Sequence, residues 1–192
     1  MSNIWFTSDT HFNHENVIKY CSRPFVDLDD MTESIIASWN CRVMPGDTVY
    51  HLGDFALSRG SKHASLVDSI LSRLNGQKWL IKGNHDRKEV TDNPRWIRVK
   101  DYHEIKVDVG EVHKQRVVMS HYRLFVWNQR HRGAYMLNGH SHGNLNHIPW
   151  GRSLDVGVDC FDYAPVSFDE VHSLLRRVPI GDCHDHHEPV GK

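Results

Sequence analysis

The sequence lacks any long apolar stretch, because no uninterrupted run of hydrophobic residues exceeds four. A helix that crosses a membrane needs about 20 predominantly apolar residues. The N-terminus also has no basic stretch followed by a long hydrophobic segment, which a secretory signal requires. These absences predict a protein without a membrane-spanning helix and with a cytoplasmic location.

Paired cysteines and an excess of either charge are also missing. The four cysteines are dispersed without a Cys-x-x-Cys pair, which argues against a thiolate zinc site and against a disulfide framework. The 23 Lys and Arg residues nearly balance the 24 Asp and Glu residues, for a net charge of −1. This balance excludes a protein that binds nucleic acid or anionic membranes mainly through its overall charge.

What the chain does have is the composition of one folded domain and an unusual number of histidines. Its 192 residues, 39% of them hydrophobic, suffice to bury a core. We predict a single domain over residues 1–178 and a flexible tail over residues 179–192. Histidine occurs 16 times, and its imidazole is the commonest metal ligand among side chains.

Strand and helix patterns alternate over the first 86 residues, as in α/β folds with parallel strands. Short β-prone runs predict strands at residues 4–7, 49–52 and 79–81. Between them, one helix is predicted to begin at Asp30 or Thr32, and a second to span residues 61–74 with Leu66 on its apolar face. Each strand ends in a polar cluster, so we expect functional side chains at the carboxyl ends of the strands.

The second half of the chain has a different pattern. Residues 105–109 and 115–119 flank Gly110 in the manner of a β-hairpin. Further short strands are predicted at residues 135–138 and 154–158, and a closing helix at residues 168–177. This part of the sheet is therefore expected to be antiparallel or mixed.

Seven side chains that can bind metal through oxygen or nitrogen follow the predicted strands: Asp9, His11, Asp54, Asn84, His121, His140 and His142. Taken singly, most of them are more simply explained by a turn, a helix cap or a half-buried histidine, whereas Asn84, in its block with Gly83 and Asp86, is a stronger signal. Together they exceed the needs of one ion, and two ions about 4 Å apart are most simply held by a bridging aspartate. The side chains of His140-x-His142 point the same way in an extended segment but can reach neighbouring ions from a turn.

The ordered set resembles the calcineurin-like metallophosphoesterase superfamily. Five signature blocks occur in order: Asp9-Thr10-His11, Gly53-Asp54, Gly83-Asn84-His85-Asp86, Ser120-His121 and Gly139-His140-Ser141-His142. The opening residues 8–14, together with Arg23-Pro24-Phe25, are similar to those of small bacterial and phage members that lack a cap domain. The expected location is accordingly the cytoplasm of a bacterium or of a phage-infected host.

The resemblance implies a site and a fold. Asp9, His11 and His142 would hold one divalent ion, Asn84, His121 and His140 the other, and Asp54 would bridge the two. Mixed oxygen and nitrogen donors without thiolate suit Mn²⁺, Fe or Zn²⁺, and of these we expect Mn²⁺. The implied α/β fold is a sandwich of two mixed β-sheets flanked by helices.

The reaction implied by the resemblance is phosphoester hydrolysis by in-line attack of a metal-bridging hydroxide. His85, which follows a ligand but does not itself bind metal, would stabilise the transition state or protonate the leaving oxygen. Asp86 either orients His85 or caps the following helix, and the cap is favoured. Substrate anion contacts are predicted from Arg23 first, and also from Arg87 and Arg123.

One departure from the superfamily bears on the substrate. Its protein Ser/Thr phosphatases carry an Asp-Arg pair three and four residues after the metal aspartate, where this chain has Leu57 and Ser58, with Arg59 next. Without that phosphate clamp, diesters are favoured over monoesters. We predict a phosphodiesterase with an open site for nucleotides or RNA ends, and 2′,3′-cyclic phosphates as the preferred substrates.

The segment of residues 113–133 is basic and aromatic, contains no acidic residue, and leaves two interpretations open. Nucleic-acid bases could stack on Tyr122, Phe125 and Trp127 between its cations. Alternatively, the aromatic side chains belong to the core and the charges face solvent.

Other functions compete with the phosphodiesterase. The same ligands would serve a phosphomonoesterase or a DNA exonuclease, and a non-catalytic scaffold module can share the fold. The presence of every ligand and of His85 argues against the scaffold. The sequence indicates neither an obligate protein partner nor a membrane.

Overall fold

The computed structural model describes residues 2–57, 61–148 and 150–181. The strands are β1 (Ile4–Thr7), β2 (Thr48–His51), β3 (Gln77–Ile81), β4 (Trp96–Lys100), β5 (Tyr102–Val107), β6 (Gln115–Ser120), β7 (Tyr135–Asn138), β8 (Ser153–Asp155) and β9 (Val166–Ser167). The helices are α1 (Glu15–Tyr20), α2 (Leu28–Arg42), α3 (Ser61–Arg73), α4 (Lys88–Thr91) and α5 (Phe168–Leu175).

The first sheet has five strands in the order β4-β3-β2-β1-β9. Its first four strands are parallel neighbours, and β9 pairs antiparallel with β1. The alternation predicted for the first half of the chain is thus confirmed, since α2 precedes β2 and α3 precedes β3. Parallel strands end at one edge of a sheet, so the loops after β1, β2 and β3 lie side by side.

The second sheet has four strands in the order β5-β6-β7-β8. β5 and β6 form the predicted antiparallel hairpin, whereas β6, β7 and β8 run parallel to one another. Both sheets are therefore mixed, as the predicted fold requires. The loops after β6 and β7 leave the second sheet at a common edge.

The core between the sheets comes from alternate residues of the strands. Phe6 and Ile81 of the first sheet belong to the same buried cluster as Val117, Met119 and Leu137 of the second. A further cluster lies under α2 and α3, on the other side of the first sheet, and a small one lies beneath the loop after β6. The carboxyl ends of five strands thus rest on packed layers.

Several element boundaries differ from the predictions. α2 begins one turn earlier than expected, because the Asp27 side chain, not that of Asp30 or Thr32, accepts the capping hydrogen bond, at 2.9 Å from the Asp30 amide. Leu66 is exposed, and Val67 is buried instead, together with Ile70, Leu71 and Leu74. The apolar face of α3 therefore includes Val67 and not Leu66. The strand predicted at residues 154–158 ends at Asp155, where the chain leads into a 3₁₀ turn at Val158–Cys160.

None of the helices in the described ranges has the length and apolar character needed to cross a membrane.

α5 ends at Leu175, two residues before the predicted end, after starting with a capping box formed by Ser167 and Glu170. Residues 182–192, most of the predicted tail, lie outside the described residues. The domain boundary at residue 178 therefore stays a prediction.

Candidate metal centre

The loops that follow five strands bring the seven predicted ligands together. They come after β1 (Asp9 and His11), β2 (Asp54), β3 (Asn84), β6 (His121) and β7 (His140 and His142). Three of these strands belong to the first sheet and two to the second. The site is thus built at the carboxyl edges of both sheets.

The ligand atoms of these side chains form two clusters. One contains Asp9, His11 and His142, the other Asp54, His121 and His140, and within each cluster the atoms lie within 4.8 Å of one another. Asp54 lies between the clusters, because its Oδ2 is 3.7 Å from His11 Nε2 and 3.5 Å from His121 Nε2. The Oδ1 atom of Asn84 joins the second cluster at 3.1 Å from His121 Nε2.

Five of the seven predicted ligand residues have a left-handed backbone. Their φ angles are +56° at Asp9, +51° at His11, +55° at Asp54, +68° at His140 and +47° at His142. Non-glycine residues rarely adopt this region, and strain of this kind concentrates at functional sites. The sequence left open whether the side chains of His140 and His142 point the same way or toward different ions. In the structure, a turn at residues 140–142 places His142 in the first cluster and His140 in the second.

Two motif glycines are required by the close approach of these loops. A Cβ atom added to Gly83 would lie 2.3 Å from Asp54 Oδ1, and one added to Gly139 would lie 2.4 Å from Asp9 Oδ2. Either substitution would displace the carboxylate of a predicted ligand. The glycines therefore allow the loops from neighbouring strands to pack against the aspartates.

Three of the histidine rings are oriented by a partner at Nδ1. His121 Nδ1 donates to the Leu52 carbonyl at 2.8 Å, and His142 Nδ1 donates to Asp159 Oδ2 at 2.7 Å. His11 Nδ1 lies 3.3 Å from a ring nitrogen of His14. Because a bond at one ring nitrogen determines the role of the other, each Nε2 is left to face the clusters.

Two atoms in the first cluster are buried without a partner. Asp9 Oδ1 and His11 Nε2 make no hydrogen bond and lie 3.8 Å apart. A buried polar atom without a partner costs roughly 1–3 kcal/mol, and a divalent cation between the two would satisfy both. The donor set, oxygen and imidazole nitrogen, also suits such an ion, so the residues present fit metal.

The electrostatics of the site also favour a cation. Burial raises the pKa of Asp9 to about 7, against the opposing hydrogen bond from Ser8. Burial alone would raise the pKa of Asp54 and lower that of His121, but their hydrogen bond and opposite charges hold the two pKa values at about 2 and about 9. A cation beside Asp9 would stabilise the ionised form of its carboxylate.

His85 lies beside the clusters but belongs to neither of them. Its amide donates to Asp54 Oδ1 at 2.8 Å, and its ring, 39% exposed, lines a cavity of about 810 Å³ in front of the clusters. The His14 ring lies in the same cavity, 5.8 Å from that of His85 between centroids. Among the described residues that line this cavity there is no Lys or Arg.

Asp86 has a role that the sequence prediction missed. Its buried carboxylate accepts hydrogen bonds from the amides of Asp54, Phe55 and Gly83, all at 2.8–2.9 Å. The predicted helix cap is wrong, because the residue before α4 is Arg87. Asp86 instead ties the loop after β3 to the loop after β2, so it fixes the position of Asp54.

Arg23, the first choice for a substrate contact, is buried in the structure. Its guanidinium donates to both carboxylate oxygens of Asp159 at 2.8 Å and to the carbonyls of Asp9 and Thr10. The remaining N–H group points to the Met31 sulfur. With every donor in use and its side chain 0% exposed, Arg23 does not contact a substrate, and that prediction is wrong.

The other predicted substrate contacts have different outcomes. Arg123 donates to the carbonyls of Leu145 and Ile148 at 2.7 and 2.9 Å, so it holds a neighbouring loop. Arg87 is exposed, and its contact with substrate stays a prediction. Ser58 and Arg59 lie outside the described residues.

Within the basic and aromatic segment of residues 113–133, one aromatic side chain belongs to the core and two are exposed. Trp127 is buried, and the Arg130 guanidinium lies 5.1 Å from its ring centroid. Tyr122 and Phe125 are exposed, however. The Tyr122 hydroxyl donates to Asn84 Oδ1 at 3.1 Å, so the ring borders the second cluster.

His14 and Asp159 are the site residues that sequence reasoning missed, whereas Tyr122 is predicted there only as a residue on which bases could stack. His14 follows His11 by three residues within the opening block, so proximity to a motif could have identified it. Asp159 lies 17 residues from its partner His142 and in no motif. Only the folded chain reveals that contact.

Comparison with known proteins agrees with this geometry. A family model described as calcineurin-like phosphoesterase matches residues 2–189. An uncharacterized protein of Methanocaldococcus jannaschii is 35% identical, with 92% of this chain and 93% of that protein covered. The gene 66 protein of Mycobacterium phage D29 is 32% identical, with 94% and 100% covered.

A crystal structure of a protein of unknown function from Aquifex aeolicus has the same fold. Its TM-score is 0.69 at 26% sequence identity, with 91% of this chain and 100% of that chain covered. The family match spans nearly the whole chain, and the two sheets and the ligand clusters agree with it. The chain therefore belongs to the calcineurin-like phosphoesterases, a family of metal-dependent phosphoric ester hydrolases.

Proposed function

We propose that the chain is a binuclear metal-dependent phosphodiesterase that hydrolyses nucleotide or RNA phosphodiesters, with 2′,3′-cyclic phosphates as its preferred substrates. The observation that carries this proposal is the convergence of seven donors in two clusters, the first of which contains two buried atoms without partners, Asp9 Oδ1 and His11 Nε2. Buried polar atoms in folded proteins normally have hydrogen-bond partners. This arrangement is therefore better explained by ion binding than by a contribution to fold stability.

Each cluster would hold one divalent ion, and Asp54 would contact both. The proposed ligands are Asp9, His11 and His142 for one ion, and Asn84, His121 and His140 for the other. When bound, such ions would lower the pKa of a water molecule and would neutralise the charge that grows on the phosphate oxygens. Mn²⁺ is the proposed native ion, with Fe and Zn²⁺ as the other ions that this donor set suits.

His85 is the proposed catalytic residue. Its ring lines the cavity where a phosphate would lie, and its amide is fixed by Asp54 at 2.8 Å. From that position the imidazole can donate a proton to the leaving oxygen or a hydrogen bond to the phosphate in the transition state. Asp86 supports this role indirectly, since it ties the loop of His85 to that of Asp54.

The lining of the cavity supports a diester as substrate. A monoester carries more charge than a diester, and enzymes that bind monoesters commonly use an Arg side chain to hold it. Among the described residues, the lining has no such side chain, and Leu57 occupies one of the positions of the clamp found in protein phosphatases.

The exposed ring of Tyr122 supports a nucleotide. It lies 4.6 Å from the His140 ring between centroids, at the border of the second cluster. A base attached to a bound phosphate could stack on it, and base–aromatic stacking contributes about 1–3 kcal/mol.

The proposal is tested by turnover of bis- and mono-p-nitrophenyl phosphate with Mn²⁺, followed by a panel of 2′,3′-cyclic nucleotides, 3′-phosphate RNA and single-stranded DNA. We expect turnover only with a divalent ion, a higher kcat/KM for the diester, and the highest for a cyclic nucleotide. A preference for the monoester would overturn the diesterase, and no turnover with any divalent ion would indicate a scaffold.

A further inference from the structure

The Asp9–His11–His142 cluster is supported by an ion pair between Arg23, which is buried, and Asp159, which lines the same cavity. Arg23 and Asp159 are joined by two hydrogen bonds of 2.8 Å between the guanidinium and the carboxylate. The Arg23 side chain is 0% exposed and that of Asp159 is 9% exposed. The two residues are 136 positions apart in the chain, so the pair is a tertiary feature.

This pair contacts both loops that supply the cluster. On one side, Arg23 donates to the carbonyl of Asp9 at 2.7 Å and to that of Thr10 at 3.0 Å, which fixes the loop before His11. On the other side, Asp159 Oδ2 accepts from His142 Nδ1 at 2.7 Å. One guanidinium thus connects, directly or through Asp159, to the loops of all three ligands.

The bond to Asp159 determines which nitrogen of His142 can bind metal. A carboxylate can only accept, so Nδ1 carries the hydrogen and the lone pair of the neutral ring lies on Nε2. Carboxylates that hold metal-binding histidines in this way fix the ring orientation and the tautomer, and their loss typically weakens metal binding by about 10–100-fold.

We propose that Asp159, held by Arg23, is a positioning residue that sets the tautomer and orientation of His142 and thereby the affinity of the first cluster for its divalent ion. This inference rests on the proposed metal centre. It also explains why Arg23 is buried near a polar cavity without facing it.

The test is a titration of the whole chain, freed of metal, with Mn²⁺. Calorimetry and electron paramagnetic resonance monitor the binding. The variant is Asp159→Asn, which keeps the shape of the side chain but removes its charge. Asp68→Asn is the matched control, because Asp68 also pairs side-on with an arginine, at 2.7 Å from Arg95 Nε, but on the surface.

We expect the wild type and the control to bind two Mn²⁺ ions per chain and to give the spectrum of a coupled pair. In Asp159→Asn, one of the two affinities should fall by about 10-fold or more, leaving an isolated Mn²⁺ spectrum at the same metal concentration. A merely structural role would weaken both sites together or neither, and either of these results would overturn the inference. A wild type that binds fewer than two ions would instead overturn the proposed metal centre.

A measurement on the wild type decides the question if the variant does not fold. In the Zn²⁺-loaded chain with ¹⁵N-labelled histidine, we expect His142 to show a protonated Nδ1 and a metal-bound Nε2. The opposite assignment would contradict the role of Asp159.

Discussion

At the level of the single residue, His85 differs from the histidines of the two clusters, because it faces the cavity without joining either cluster, a position that it shares with His14. We predict that His85→Ala binds the same number of ions as the wild type and loses about 10²–10⁴-fold in kcat, the range typical of a lost proton donor. Metal content by mass spectrometry and diester turnover check this.

His113→Ala is the control for this prediction, since His113 is exposed on the loop between β5 and β6. Full turnover of His85→Ala with both ions bound would show that the side chain has no part in the reaction.

His51 allows a prediction about pH. Its Nδ1 accepts from the Gly53 amide and its Nε2 lies 3.0 Å from Thr10 Oγ1, so the buried ring is neutral. Burial lowers its pKa to about 3. The neutral ring therefore contributes stability that is present above the unfolded-state pKa of about 6.5 and is lost as the pH falls towards 3.

For the metal-free protein we expect the free energy of unfolding, measured with denaturant, to fall between pH 7 and pH 4. The contribution of His51 has a slope of at most about 1.4 kcal/mol per pH unit. His51→Gln should flatten the curve, because an amide can replace both hydrogen bonds without titrating. An unchanged slope in that variant would show that His51 is not the group responsible.

The candidate donors of the site were predictable as an ordered set, but their supporting residues were not. Asp9, Asp54 and the histidines stand in short blocks after strands, where local sequence contains the signal. Arg23 follows the first of these blocks by 12 residues, yet its partner is Asp159, 136 residues away. A contact over that separation leaves no local pattern, so Arg23 could not be told from a surface cation.

The geometry of the candidate metal centre depends on the loops that follow the strands. A substitution at Gly83 tests this dependence. A Cβ atom there would lie 2.4 Å from the Asp54 amide nitrogen and 2.3 Å from its Oδ1. We predict that Gly83→Ala loses binding of at least one ion and destabilises the fold by roughly 1–3 kcal/mol, as overpacking commonly does.

Thermal unfolding and Mn²⁺ titration measure both effects. Gly46→Ala is the control, because a Cβ atom at that turn meets nothing within 4 Å. Normal Mn²⁺ binding by Gly83→Ala would mean that the loops after β2 and β3 can separate without harm to the site.

Element types followed from the sequence more readily than element ends. The parallel strands, the hairpin around residue 110 and the closing helix were all predicted from periodicity. The start of α2 was wrong by one turn, because Asp27, Asp30 and Thr32 are all good caps and only the folded backbone selects among them. The pairing of the two sheets came from the family resemblance, since periodicity alone does not specify which faces meet.

At the scale of the whole molecule, metal removal should destabilise the protein. Binding to the folded chain alone adds RT ln(1 + [L]/Kd), or about 2.7 kcal/mol per site when the free ion is at 100 times its Kd. We therefore expect chelation with EDTA to lower the melting temperature and added Mn²⁺ to restore it, as measured by differential scanning calorimetry. An identical melting temperature with and without EDTA would argue against both clusters as ion sites.

Each cluster draws its side chains from both sheets: His142 completes a group from β1, and Asp54 joins a group from β6 and β7. A bound ion is consequently a cross-link between the two halves of the sandwich. Separation of the two sheets would then require that the side chains of one sheet release the ion. Amide hydrogen exchange at the ends of β1 and β7 should for that reason slow in concert when metal is added.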